Sequence, residues 1–111
     1  MDARATTVLS DPTAVRFPLA GAPGHVVVTR SRAAALVVSN LRRAPSGKTY
    51  ELWVVAALQP RPAGIFSGGG KRSLVALTRK VPHGARVAVS LEPAGGSRQV
   101  TGTLLFSAQT T

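Results

Sequence analysis

The chain contains no cysteine and few acidic residues, and these two shortages exclude most kinds of site chemistry. No disulfide, thiol nucleophile or sulfur-ligated zinc site can form within its 111 residues. Four residues are Asp or Glu and two are His, so few side chains remain for metal binding or acid–base catalysis. We therefore expect no metal site, no cofactor and no enzymatic activity.

Aromatic residues and long apolar runs are also scarce. Aromatics make up 5% of the chain, so Val, Leu and Ala must build the core. The longest apolar run, residues 52–58, is far shorter than the ~20 residues that span a bilayer. Residues 1–20 show no signal-peptide pattern. A mass of 11.5 kDa predicts one domain over residues 1–111, with a core of about 7–107 and flexible tails at 1–4 and 108–111.

Basic residues dominate the charge. Fourteen Lys and Arg give a formal net charge of +10, and clustered cations can bind phosphate backbones or anionic membrane surfaces. A basic all-β module that binds nucleic acid or another polyanion is therefore an alternative function. A solvated basic surface is the simpler interpretation, because no aromatic-rich signature of nucleic-acid recognition occurs and the aromatic residues are dispersed. They are Phe17, Tyr50, Trp53, Phe66 and Phe106. We therefore expect no specific binding of nucleic acid. A further alternative, an adhesion or carbohydrate-binding module, would need exposed aromatic side chains that converge on one surface.

Several apparent motifs are better explained as turns or structural residues. The Gly-Lys pairs at 47–48 and 70–71 lack the second glycine and the helix of a phosphate loop. His25 and His83 have too few carboxylates available to complete a metal site. Ser97 follows two glycines in a predicted turn and is not part of a Gly-x-Ser-x-Gly nucleophile elbow. None of these residues is assigned a catalytic role.

The apolar pattern is that of an all-β protein. Apolar residues recur with period two or in short β-branched runs, which Gly and Pro separate. The pattern predicts no helix, and it predicts strands at 15–19, 25–30, 33–40, 49–58, 65–66, 72–78, 85–92 and 103–107, with a further one at 5–9. The proline-rich segment 59–62 is predicted to lie outside the sheets, since proline removes a ladder hydrogen bond. We predict an antiparallel β-sandwich of about eight or nine short strands.

Two segments contain residues that no catalytic role explains. Tyr50 and Trp53 lie on opposite faces of the strand at 49–58, so this strand should be central and covered on both sides. Glu92 comes directly before Pro93, where the ladder should stop. Its carboxylate could accept backbone N–H groups from the Gly95–Gly96 turn. We interpret Glu92 as a brace for this turn and not as a general base.

These segments fall into three motifs, which occur in a fixed order. They are Gly-Lys-Thr-Tyr-x-Leu-Trp at 47–53, Ala-Gly-x-Phe at 63–66, and Glu-Pro-x-Gly-Gly-Ser at 92–97 with Thr-Gly at 101–102. Together they resemble the C-terminal, extracytoplasmic domain of the RskA-type anti-sigma factors, the anti-sigma-K factor family. The structural motif residues that the resemblance selects are Tyr50, Trp53, Gly64, Phe66, Glu92, Pro93, Gly95, Gly96, Ser97, Thr101 and Gly102. Val100 and Arg42 stand where the family usually has proline, which should change turn stiffness and not the fold.

The resemblance implies a sensory or regulatory domain on the extracytoplasmic face of the membrane, in a single-pass membrane protein. Such proteins also have a cytoplasmic sigma-binding domain and a transmembrane helix. Neither is present here, so we expect an excised domain or a free-standing paralogue. The implied partners of the longer protein are an extracytoplasmic-function sigma factor, held inactive, and a site-1-type protease that begins regulated proteolysis.

Overall fold

The computed structural model describes residues 3–111 and contains two antiparallel sheets of four strands each. The elements in chain order are α1 (Ala3–Leu9), β1 (Val15–Pro18), β2 (Gly24–Val28), β3 (Ala34–Ser39), β4 (Lys48–Ala56), β5 (Gln59–Phe66), β6 (Arg72–Ala76), β7 (Arg86–Pro93) and β8 (Leu104–Gln109). The first sheet has the strand order β1-β2-β3-β6 and the second β5-β4-β7-β8. The prediction of an all-β antiparallel sandwich is confirmed.

The core lies between the two sheets and is aliphatic. Alternate residues of the central strands point into it, as the period of two requires. The first sheet contributes Val26, Val28, Leu36 and Val38, and the second contributes Leu52, Val54, Val87 and Val89. The sheets therefore seal their inner faces against each other, and any further site must lie on an outer face or at an end.

The prediction of a strand at residues 5–9 is wrong, because this segment belongs to helix α1. Ala5 and Val8 are three residues apart, so they share one helical face, and both are buried. This face packs on the outer side of the first sheet against Val27, Ala35 and Ala76. Burial against the sheet stabilises a helix of only seven residues whose two threonines have low helix propensity.

The prediction that residues 59–62 lie outside the sheets is also wrong. They form the first half of β5, where Pro60 pairs with Val55 and Pro62 pairs with Trp53. Because the prolines are two residues apart, their ring nitrogens point in the same direction. β5 is an edge strand, so this direction can be away from β4 without loss of a ladder hydrogen bond.

The C-terminal segment, predicted to be a flexible tail, packs onto the second sheet. Ala108 belongs to β8 and is buried. Thr110 is 2% exposed, and its hydroxyl donates a hydrogen bond of 2.6 Å to the carbonyl oxygen of Ala85. At the other end, Ala3 and Arg4 begin α1, while residues 1–2 of the predicted tail lie outside the described residues.

Candidate functional site

The outer face of the second sheet carries a polar cluster covered by one loop. On β4, Glu51 and Trp53 point outward, whereas Tyr50 lies in the core between the sheets. On β7, Ser90 and Glu92 occupy the same outer face. Residues 94–103, here called the strap, cross this face before β8 begins. Trp53, Ser90 and Glu92 are each 0% exposed, so the cover is complete at these positions.

A chain of hydrogen bonds links the tryptophan to a carboxylate. The indole Nε1–H of Trp53 donates to Ser90 Oγ at 2.9 Å. The Ser90 hydroxyl in turn donates to Glu92 Oε2 at 2.5 Å. Ser90 can make both bonds because a hydroxyl donates one hydrogen bond and accepts others. The indole is therefore satisfied although it has no access to water.

The strap binds the same carboxylate from its other side. Thr101 donates its hydroxyl to Glu92 Oε1 at 2.5 Å and its backbone N–H at 3.2 Å. Gly102 N–H donates to Glu92 Oε2 at 3.2 Å. All these donors are neutral, even though the chain carries a net charge of +10. Hydroxyl and amide donors thus hold a buried anion in place of a salt bridge.

These donors decide the protonation state of Glu92. Burial alone raises its pKa, because it removes water from the charged form. The hydroxyls of Ser90, Thr101 and Ser97 and the Gly102 N–H outweigh burial and lower the pKa to about 2. Glu92 is therefore an anion at neutral pH.

Glu51 is a second buried carboxylate on this face, and its pKa moves in the opposite direction. Burial raises its pKa, and the negative charge of Glu92 raises it further. A single backbone N–H, that of Ser97, donates to Glu51 Oε1 at 2.6 Å and lowers the pKa in part. The two carboxylates thus hold the strap at two points, Ser97 and Thr101–Gly102.

The donors predicted from sequence for Glu92 differ from those observed. The N–H of Gly96 donates to the Pro93 carbonyl at 2.9 Å, so it closes a turn and does not contact Glu92. Glycine nevertheless suits position 96, because its φ of 86° strains other residues and a Cβ there would lie 3.1 Å from Glu51 Oε2 and from Ile65 Cγ2. Glu51 received no role from the sequence, since its partner Ser97 is 46 residues away.

The structure separates the motif residues into three locations. Trp53, Glu92, Ser97, Thr101 and Gly102 meet at the strap, together with Glu51 and Ser90, which the motifs did not select. On the inner side, the rings of Tyr50 and Phe66 stack with centroids 5.3 Å apart. The Tyr50 hydroxyl donates to the Arg42 carbonyl at 2.6 Å. The third location is the backbone around these clusters: Gly64 lies in β5, Pro93 ends β7 and Gly95 lies in the following turn.

Ser90 could have been found from the sequence by strand alternation. It precedes Glu92 by two residues, so both must share one face of the predicted strand. A serine on a covered face beside a carboxylate is a natural hydrogen-bond donor to it. The signal was present in the pattern of β7, whereas that for Glu51 was not.

The arrangement is suited to holding structure and not to reaction chemistry. Both carboxylates are sealed beneath the strap, and their oxygens accept hydrogen bonds from the protein itself. His25 lies in β2 of the other sheet, and His83 lies in the turn before β7. Among residues 3–111, no group of three or more His, Asp or Glu could hold a metal ion. The fold and the site define a small β-sandwich closed by a carboxylate-held strap.

Comparisons with known proteins assign the chain to a family. Residues 2–104 match the family described as anti-sigma-K factor RskA, C-terminal, and the chain belongs to this family. It is 34% identical over 102 residues to an uncharacterized protein in the phr 5′ region of Streptomyces griseus, covering 88% of this chain and 43% of that protein. It is 33% identical over 98 residues to the anti-sigma-K factor RskA of Mycobacterium tuberculosis, covering 86% of this chain and 42% of that protein. The family predicted from the motifs is thus confirmed.

The chain spans less than half of the length of these curated relatives. No solved structure matches it. Within the part of the chain that the structure describes, no helix has the length and apolar character needed to cross a membrane.

Proposed function

We propose that this chain is the extracytoplasmic regulatory domain of a membrane-bound anti-sigma factor. A longer protein containing it would hold an extracytoplasmic-function sigma factor inactive through a separate cytoplasmic domain. A site-1-type protease would start the release of the sigma factor by cutting near the membrane. The observation that carries this proposal is the match of residues 2–104 to the RskA C-terminal family.

The strap suggests how such a domain would act. In the folded state the strap is hydrogen-bonded to Glu51 and Glu92 on the outer face of the second sheet, where Trp53 and Glu92 are fully buried. We propose that the closed domain shields the cleavage point and that a perturbed domain exposes it. Regulation would then depend on the stability of the domain, and no substrate would be turned over. Neutral donors surrounding a buried carboxylate support this mode, because they leave no oxygen of Glu92 for external chemistry.

The environment of the aromatic rings argues against the alternative of a nucleic-acid-binding module. Proteins that bind single strands stack bases on exposed aromatic side chains. Tyr50, Trp53 and Phe106 are buried, and Phe17 and Phe66 pack against the core. The described surface therefore offers no aromatic platform, and the positive charge alone would support only loose, salt-sensitive attraction.

A chimera tests the proposed function. This chain would replace the matching part of the Mycobacterium tuberculosis anti-sigma-K factor RskA, and a sigma-dependent promoter would report release. Trp53→Ala removes the largest fully buried side chain and should cost about 3–5 kcal/mol of folding stability. We expect reporter output to rise because the destabilised domain would expose the cleavage point.

The matched control is Val15→Ala on β1, where the side chain is 53% exposed and little stability should be lost. Reporter output should remain at the level of the unsubstituted chimera. Repression that persists with a Trp53→Ala domain shown to be unfolded by limited proteolysis would refute the proposal.

A further inference from the structure

The turn between β4 and β5 is built from residues that do not suit it. Ala56 pairs with Gln59, so the hairpin loop has two residues, Ala57 and Leu58. Their φ angles are 52° and 64°, which is the left-handed conformation of a type I′ turn. Asn and Gly are favoured in this turn, because other side chains are strained at positive φ. A leucine at this position therefore costs conformational energy.

Packing against the rest of the protein does not stabilise the Leu58 side chain either. Its side chain is 94% exposed, whereas Val15, another exposed large hydrophobic residue, is 53% exposed. Folding alone thus gives no reason for a leucine here, since it is both strained and solvated. Strained residues that the fold does not use are typical of functional surfaces, and so are exposed apolar side chains that cluster with others.

Apolar, basic and amide side chains surround Leu58. Two shallow hollows flank the hairpin, and Leu58 and Pro60 line both of them. One hollow is also lined by Arg61, Arg98 and Val100, with Gln59 and Gln99, and the other by Arg86 and Leu104, with Val55, Ala57, Gly84 and Gln109. Among residues 3–111, none with a carboxylate side chain lines either hollow. We call seven of these residues the tip surface: Leu58, Pro60, Arg61, Arg86, Arg98, Val100 and Leu104.

We propose that the tip surface docks on an anionic lipid bilayer. Leu58 at the apex enters the boundary of the acyl chains, and the three arginines contact headgroup phosphates on either side. Peripheral membrane contacts combine these two terms, burial of apolar area and attraction of basic side chains to anionic lipids. The arginine stems can lie along the apolar boundary while their guanidinium groups reach the phosphates.

The shape of the tip surface favours a membrane over a protein partner. One fully exposed aliphatic side chain projects from a hairpin, and the hollows beside it are open. A partner helix or strand would instead need a groove with several apolar anchors or an accessible row of backbone groups. The proposal concerns the isolated domain and needs neither a sigma factor nor a protease, so it can fail independently of the proposed function.

Vesicle sedimentation tests the proposal with the chain itself. Vesicles of phosphatidylglycerol and phosphatidylcholine would be compared with vesicles of phosphatidylcholine alone. We expect binding to the anionic vesicles only, with weaker binding as salt is raised. Leu58→Gly should weaken it roughly tenfold or more, because the apex leucine no longer enters the bilayer. Reversal of two charges in Arg61→Glu/Arg98→Glu should weaken it roughly tenfold or more.

Two controls separate the tip surface from general effects. Leu58→Gly relieves the strain at positive φ, so its melting temperature should equal or exceed that of the parent chain. Arg16→Glu/Arg30→Glu makes the same change in net charge on the other sheet, within β1 and just after β2, and should weaken binding less than about twofold. The proposal is overturned if anionic vesicles are not bound at low salt, or if phosphatidylcholine vesicles bind equally well. It is also overturned if Leu58→Gly retains full binding, or if the control pair weakens binding as much as the tip pair.

Discussion

Replacement of Glu92 by glutamine tests whether a buried anion holds the strap. Glu92→Gln keeps the shape of the side chain but removes its charge and one acceptor oxygen. Ser90, Thr101 and Gly102 all donate to this carboxylate in the folded state. An amide can accept from some of these donors, but its NH₂ group must then face others. We expect a large loss of stability with little change of fold.

The pKa of Glu92 sets the size of the effect. A folded-state pKa of about 2, against 4.5 for the free side chain, corresponds to about 3 kcal/mol in favour of the folded, ionised form at neutral pH. Glutamine cannot recover this contribution. A loss of this size lowers the melting temperature of a domain of about 100 residues by roughly 10–20 °C. It is also a large share of the stability of a small domain, which is typically about 5–15 kcal/mol.

Glu51→Gln is the matched control, because it makes the same chemical change on the same face beneath the same strap. Burial and the charge of Glu92 disfavour ionised Glu51, so neutralising it should leave stability unchanged or raise it. Urea unfolding can follow the fluorescence of Trp53, the single tryptophan, with circular dichroism as a second probe. Equal losses in both variants, or a loss below about 1 kcal/mol for Glu92→Gln, would refute the role of the anion.

Two further predictions follow from pH and from backbone contacts. The stability difference between the parent chain and Glu92→Gln should be complete above pH 4.5 and should fall as pH drops from there through about 2, because the folded-state pKa is lowered. As pH is lowered toward 4.5, the free energy of unfolding of the parent chain should rise relative to that of Glu51→Gln, because the folded-state pKa of Glu51 is raised. Urea unfolding curves at several pH values measure both differences. Gly24→Ala should cost about 2–4 kcal/mol in the same assay, since a Cβ there would lie 2.1 Å from the Val37 carbonyl oxygen. Gly70→Ala, which meets no atom within 4 Å, should cost only about 1 kcal/mol of strain; equal costs would contradict the steric argument.

The strands were predictable because side chains of the central strands alternate regularly between the two faces of the sheet. In β4, Leu52 and Val54 alternate with Glu51 and Trp53, and the structure buries both sets. A strand buried on both faces must be central, which the sequence alone could indicate. The family motifs selected residues of β4 and of the strap, but they did not predict the contact between the two.

The errors came from information that is not local. Helix α1 has the β-branched residues of a strand, and only the outer face of the first sheet selects the helix. Pro60 and Pro62 are compatible with a strand only at an edge, and edge position depends on strand order. The partnership of Glu51 with Ser97 depends on where the strap returns, 46 residues along the chain. Local sequence patterns therefore predicted the two sheets of the sandwich, but not the helix and the strap that lie on the outer faces of these sheets.

The strap connects the two proposals through its own middle segment. Ser97 is held by Glu51 through its N–H and by Glu92 through its hydroxyl, and Thr101 and Gly102 are held by Glu92. Arg98 and Val100, which lie between these two anchors, belong to the tip surface. A bilayer that binds Arg98 and Val100 would therefore act on the same loop that Glu51 and Glu92 hold. Thr101 and Gly102 donate at least three hydrogen bonds to Glu92, whereas Ser97 donates its N–H to Glu51 and its hydroxyl to Glu92. Separation should therefore begin at Ser97, and the contact of Thr101 and Gly102 with Glu92 should be lost last.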